Sequence, residues 1–96
     1  MVTIGMNYDV LPGKETTFEK AVEKVIETMQ QNPGHSTTHL YRRVGSGQIS
    51  YLIISDWNQK EEFDAFVSSE AFAKVTQWGK ENILAGRPKH QVYQGL

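Results

Sequence analysis

Apolar and polar residues alternate from Val2 to Leu11, with Val2, Ile4, Met6, Tyr8 and Val10 on one side and Thr3, Gly5, Asn7 and Asp9 on the other. A period of two predicts a strand, and Pro12-Gly13 ends it with turn chemistry. From about Lys14 to Gln31 the period lengthens. Phe18, Val22, Val25, Ile26 and Met29 recur at helical spacing, opposite a solvated face that carries the pairs Glu19/Glu23 and Lys20/Lys24. Asn32-Pro33-Gly34 is expected to stop this helix, the proline removing a donor and the glycine supplying a left-handed position.

Two further strands are expected, His35 to Val44 and Gln48 to Trp57, joined as an antiparallel hairpin by Gly45-Ser46-Gly47. The later strand is apolar on both sides: Ile49, Tyr51, Ile53 and Trp57 on one, Leu52 and Ile54 on the other. Such a strand is covered on both faces. Helices of the same chain can cover one of them, and a second copy of the chain is the simplest cover for the other. Asn58 and Glu61 are spaced as a capping box, so a helix starts after Trp57 with Phe63, Phe66 and Val67 as its apolar stripe. Ser68-Ser69 breaks it. A second helical piece runs from about Glu70 to Ile83 with Phe72, Val75, Thr76, Gly79 and Ile83 inward, and Lys89 to Gln94 forms the last strand. This order predicts an α+β, ferredoxin-like βαββαβ domain over residues 1–96, with a four-stranded antiparallel sheet and a split second helix.

Composition narrows the function classes. A chain of 96 residues buries only about 60–70% of its unfolded surface, so its core is thin and a subunit interface would help it. Ten Lys and Arg against eleven Asp and Glu leave a net charge of −1, no basic field for nucleic acid. Without cysteine there is no disulfide, thiol catalysis or thiolate metal site. The apolar runs are far short of the roughly 20 residues of a membrane helix, and MVTIGMNYDV lacks the basic start of a signal peptide. No membrane partner and a cytoplasmic location are expected. Nucleophile-elbow, phosphate-loop, zinc-helix and dinucleotide motifs are absent, and Gly45-Ser46-Gly47 precedes no helix.

Strand alternation puts His35, Thr37, His39 and Tyr41 on one face. A His and a Tyr so arranged can hydrogen-bond a quinol or phenol; the His takes its proton and leaves an electron-rich phenolate that reacts with dioxygen. The alternative is a barrel-lining His39 at a dimer interface. His35 and His39 lie about 13 Å apart at roughly 3.3 Å per residue, so no single ion joins them with His90, and no metal site is expected. Trp57 fits a core anchor better than a stacking ring, and Phe66 and Phe72 fit core packing. Trp78 lies off the inward stripe, at a pocket rim or an interface, while Gly79 leaves space where the helix meets the sheet. Arg87, Lys89 and His90 make a small cationic patch that suits a solvated loop better than a carboxylated ligand.

PGKE after the first strand, a helix ending in NPG, a strand bearing HLYR, the stretch SDWNQKEEFDAFVSSEAF and a strand after GRPKH together resemble the antibiotic biosynthesis monooxygenase domain family, over roughly residues 3 to 94. The resemblance implies a dimeric α+β barrel in which two ferredoxin-like sheets pack face to face. It also implies an oxidoreductase of the cofactor-independent monooxygenase type, acting on a small hydrophobic aromatic or quinol substrate in a pocket between sheet and helices. In the family's haem-degrading branch the first strand carries an Asn, the second helix a Trp, and the next helical segment an iron-ligating His. These positions fall on Asn7 (or Met6, counting back from Gly13), Phe66 and Thr76. Without a ligand at Thr76 haem is the less favoured cofactor, and no cofactor is expected. The expected catalytic set is His39, Tyr41 and Asn7; the expected substrate-binding set is Tyr8, Trp57, Phe66, Phe72, Thr76 and Trp78. A non-catalytic ligand-binding dimer is the remaining alternative.

Overall fold

The alternation at the start of the chain becomes β1 (Val2–Val10), the strand on which the sheet is assembled. After it come α1 (Glu15–Gln30), β2 (His35–Arg42), β3 (Ile49–Trp57), α2 (Lys60–Val67), α3 (Glu70–Asn82) and β4 (Lys89–Gln94), in a computed structural model that describes residues 1–96. The sheet order is β2-β3-β1-β4 and every pairing is antiparallel. No helix is long and apolar enough to cross a membrane.

Register decides which side chains meet. Met6 is opposite Ile53 on β3 and His90 on β4, and Val2 is opposite Trp57. The even positions of β1 and β4 and the odd positions of β3 therefore share one side of the sheet. Ile4, Met6, Val10, Tyr51, Ile53 and Trp57 form the core there with Phe18, Val22 and Met29 of α1, Phe63 and Phe66 of α2, and Ile83 after α3. Each such side chain contributes about 1.5–3 kcal/mol on burial. The opposite side carries Thr3, Asn7, Tyr41, Leu52, Ile54 and Tyr93 and has no helix over it; Tyr41 is 52% exposed and Tyr93 53%.

Three local expectations change. Gly34 is not left-handed, since only Gly13, Gly45 and Gly47 have positive φ. What Gly34 supplies is room, because a Cβ there would collide with the Glu62 carboxylate of α2. The Asn58/Glu61 capping box does not form: Gln59 is the N-cap of α2, with no side chain capping it, and the Asn58 N–H donates to the Gly34 carbonyl at 2.8 Å. Ser69 does cap α3, its Oγ accepting from the Phe72 N–H at 3.2 Å. Finally, a β-bulge between His35 and Thr37 breaks the alternation. His35 turns to the helix side, edge-on to Trp57 at 5.2 Å and hydrogen-bonded to Thr38, whereas Thr37, His39 and Tyr41 stay on the other side.

Candidate active site

Between α1, α3 and the sheet lies a narrow apolar slot of ≈ 50 Å³, bordered by Tyr8, Phe18, Val25, Phe72, Val75, Thr76, Trp78 and Gly79 among others. It exists because α3 presents Phe72, Val75, Thr76 and Gly79 on one helical stripe toward β1 and α1. Gly79 is not forced by contact: a Cβ there would meet Leu84 at 3.7 Å, an ordinary van der Waals distance. Its missing side chain leaves the slot open. Trp78, 42% exposed, forms the rim.

Tyr8, Phe72 and Thr76 also border a second, wider cleft of ≈ 400 Å³, completed by Met6, Phe63, Val67, Lys80, Arg87, Pro88, Lys89 and His90. That size falls in the range of small-molecule sites. Its lining combines the apolar Met6, Phe63, Val67 and Phe72 with the basic Lys80 and Arg87, and no Asp or Glu borders it. His90 lies edge-on to the buried Phe63 ring, centroids 6.0 Å apart, which orients the imidazole at the cleft.

Tyr8 stands where slot and cleft join. Its ring packs on Phe18 at 5.4 Å, and its hydroxyl reaches only the Met6 sulfur at 3.7 Å, a weak acceptor. Burial pushes the phenol up to about 12, so it is a neutral donor at physiological pH. A half-buried hydroxyl with so poor a partner is available to a ligand oxygen.

The expected residues divide into three groups. Tyr8, Phe72, Thr76 and Trp78 come together around the slot. Trp57 and Phe66 do not border slot or cleft: Trp57 is fully buried, its indole N–H donates to Ser55 Oγ at 3.0 Å, and it packs on Phe63 and Phe66 at 5.7 and 5.8 Å. His39, Tyr41 and Asn7, expected in the pocket between sheet and helices, lie on the helix-free side, because their register partners Ile54, Leu52 and Leu52 are the even residues of β3. The structure thus separates the expected catalytic set from the cleft. Lys80 is a cleft residue without a role in the sequence analysis, and His90, expected there only in a solvated cationic patch, borders the cleft. Lys80 continues the Phe72–Thr76 stripe by four residues, and His90 is two residues from inward-facing Val92. No three His, Asp or Glu side chains are grouped to hold a metal.

The chain matches the family model described as antibiotic biosynthesis monooxygenase over residues 1–78. A Halobacterium salinarum protein whose name proposes haem binding is 31% identical over 92% of this chain, but over only 18% of its own length. A Natronomonas pharaonis protein with the same proposed role is 33% identical over 92% of this chain and 14% of its own length. The chain therefore spans less than a fifth of these relatives. Among solved structures, a Nitrosomonas europaea protein whose name proposes an antibiotic biosynthesis monooxygenase superposes with a TM-score of 0.86 at 14% identity, covering 100% of this chain and 99% of that one. SnoaB, a cofactor-independent oxygenase from Streptomyces nogalater, superposes at 0.80 with 18% identity, covering 99% and 92%. Identities this low establish the shared fold. The family match spans most of the sequence, including β1 and the part of α3 that build the slot, and on that ground the chain belongs to the antibiotic biosynthesis monooxygenase family.

Proposed function

We propose that this protein is a monooxygenase that uses dioxygen, without an organic cofactor, to oxidise a small aromatic or quinol substrate bound in the cleft between sheet and helices. The observation that carries this reading is the Tyr8 hydroxyl, half-buried and weakly engaged at the junction of an apolar slot and a cleft holding His90. The substrate ring enters against Phe72, which borders both slot and cleft. Its hydroxyl or carbonyl oxygen accepts a hydrogen bond from Tyr8, and His90 takes the substrate proton. The resulting carbanion or phenolate gives electrons to dioxygen. With an anthrone, one oxygen atom becomes the new carbonyl on the CH2 carbon and the other leaves as water. With a quinol, one becomes a ring hydroxyl of the quinone product and the other leaves as water, and in both cases the substrate supplies all four electrons. Family membership and the fold shared with a cofactor-independent oxygenase support the reading.

Oxygen uptake with a panel of anthrones and quinols, in buffer treated with a metal chelator, tests it. One dioxygen consumed per product formed is the expected result. No enzyme-dependent uptake with any member of the panel would remove the reading for those substrate classes.

Haem binding is the second reading, favoured by the names of the archaeal relatives and by the one imidazole, His90, beside cations in the wider cleft. Lys80 and Arg87 would meet the propionates, His90 would be the ligand, and the iron would supply oxygen activation. Against it, α3 offers Thr76 and no histidine toward the cleft. Haemin titration separates the two: a Soret shift lost in His90→Ala favours haem, and no shift excludes it.

The helix-free side of the sheet, with Leu52, Ile54, Tyr41 and Tyr93, suits a second copy of the chain packed face to face, so the proposed unit is a homodimer. His39 and Asn7 then lie in that interface. Light scattering should give twice the chain mass, and Ile54→Asp should halve it.

A further inference from the structure

We propose that Lys80 and Arg87 form a subsite for a carboxylate carried by the aromatic substrate; this rests on reading the cleft as the substrate site. Lys80 follows Phe72 and Thr76 at intervals of four along α3, so it extends the ligand-facing stripe to the outer end of the cleft. Arg87 comes from the segment between α3 and β4. That segment is tied to the end of β1 by the Ala85 N–H donating to the Asp9 carbonyl at 2.8 Å and the Leu11 N–H donating to the Ile83 carbonyl at 2.9 Å. Lys80 and Arg87 border both the wide cleft and an adjoining opening, so two separate elements bring positive charge to one mouth.

The charge there is uncompensated. Elsewhere Arg42 meets Glu15 and Glu19, Lys60 meets Asp64, and Lys74 meets Glu70. Lys80 and Arg87 have no carboxylate within salt-bridge distance, and no acidic side chain borders the cleft, in a chain of net charge −1. Like charges gathered at one opening repel one another and attract an anion. Guanidinium matches the two oxygens of a carboxylate, and ammonium adds a point charge beside it. Because Met6, Phe63, Val67 and Phe72 line the same cleft, the anion belongs on one end of a hydrophobic ring system and not on a free inorganic ion.

Anthraquinone-2-carboxylate and its neutral carboxamide are suitable probes, with binding to the full chain followed by titration calorimetry. The carboxylate should bind about tenfold more tightly than the amide at low salt, and the advantage should shrink between about 50 and 500 mM NaCl. Arg87→Gln and Lys80→Gln should each bring the carboxylate toward the affinity of the amide while changing the amide far less, and an unchanged Tm reports that the fold is intact. Lys74→Gln, a charge loss away from the cleft, should alter neither. Equal affinity for the two probes overturns the subsite and leaves the cleft standing. Undiminished carboxylate preference in the Lys80→Gln/Arg87→Gln double variant overturns the assignment of residues. Failure of both probes to bind overturns the subsite together with the cleft reading.

Discussion

Tyr8 of β1 and His90 of β4 border the same cleft because His90 is registered against Met6, one inward position along from Tyr8. A phenol donor and an imidazole thus reach one volume from strands at opposite ends of the chain. The phenol, pushed up to about 12 by burial, stays neutral at physiological pH and offers a donor there.

Tyr8→Phe should therefore fold normally and lose turnover. The hydroxyl's one partner is a sulfur at 3.7 Å, so little stability goes with it. A hydrogen bond to a developing oxyanion is worth about 1.5–3 kcal/mol, which corresponds to roughly a 10- to 150-fold fall in kcat. KM should change little, since the bond strengthens with charge in the transition state. Steady-state kinetics decide it, and an unchanged kcat would assign Tyr8 to the wall alone.

Gly79→Ala should separate stability from binding. The new methyl meets Leu84 at ordinary contact distance, and α3 gains helix propensity of about 1 kcal/mol. A rise in Tm of roughly 4–8 °C is expected, together with a higher KM for ring substrates because the methyl narrows the slot. A lower Tm would mean that the glycine serves backbone packing.

The order of elements, the split helix and the two-sided β3 are legible in the sequence because each rests on periodicity within a short window. Which apolar face of β3 the helices cover is not, since Ile53 and Ile54 satisfy alternation equally well. That ambiguity carries His39 and Tyr41 away from the cleft, as both pair with the even residues of β3. One extra residue at the His35/Thr37 bulge reverses His35 as well, and nothing in HSTTHLYR marks it. Tyr8, Phe72 and Thr76 are legible as a group because two strong periods converge on them, whereas Trp78, off the inward stripe, is legible only as a rim or interface residue. His90 needs the β1–β4 register, a long-range fact, although its spacing from Val92 is a usable local hint.

Ser55 and Trp57 form a buried pair that a double-mutant cycle can measure. Ser55→Ala leaves the indole N–H of a fully buried ring without an acceptor, at a cost of about 1–3 kcal/mol. In a Trp57→Phe background the N–H is gone, and the same Ser55→Ala change should cost much less. Denaturant unfolding of the four proteins tests this. Equal costs in both backgrounds would show that Ser55 acts through packing and not through the indole.

Stability should fall in acid in two stages, with different residues responsible. Burial against Trp57 holds the His35 imidazole below its ordinary range, partly offset by a hydrogen bond to the Thr37 backbone and by the Asp56 charge. The folded state then binds the proton less readily than the unfolded chain, so its stability is full above the unfolded value of about 6.5 and declines as pH falls from there toward the folded value. Asp56 follows at lower pH. Hydroxyl donation from Thr3 at 2.6 Å and from Thr37 at 2.9 Å holds its carboxyl below the usual range, with a smaller pull from His39 and His35. Its contribution is present above the unfolded value of about 3.9 and is lost as pH falls through the lower folded one. His35→Phe should flatten the Tm profile between about pH 7 and 5 relative to the native chain. Thr3→Val should raise the folded Asp56 value and reduce the stability that Asp56 adds above pH 4, leaving the His35 stage in place. Thermal melts across this pH range measure both stages. An identical slope above pH 5 in His35→Phe and the native chain would move the first stage to another group.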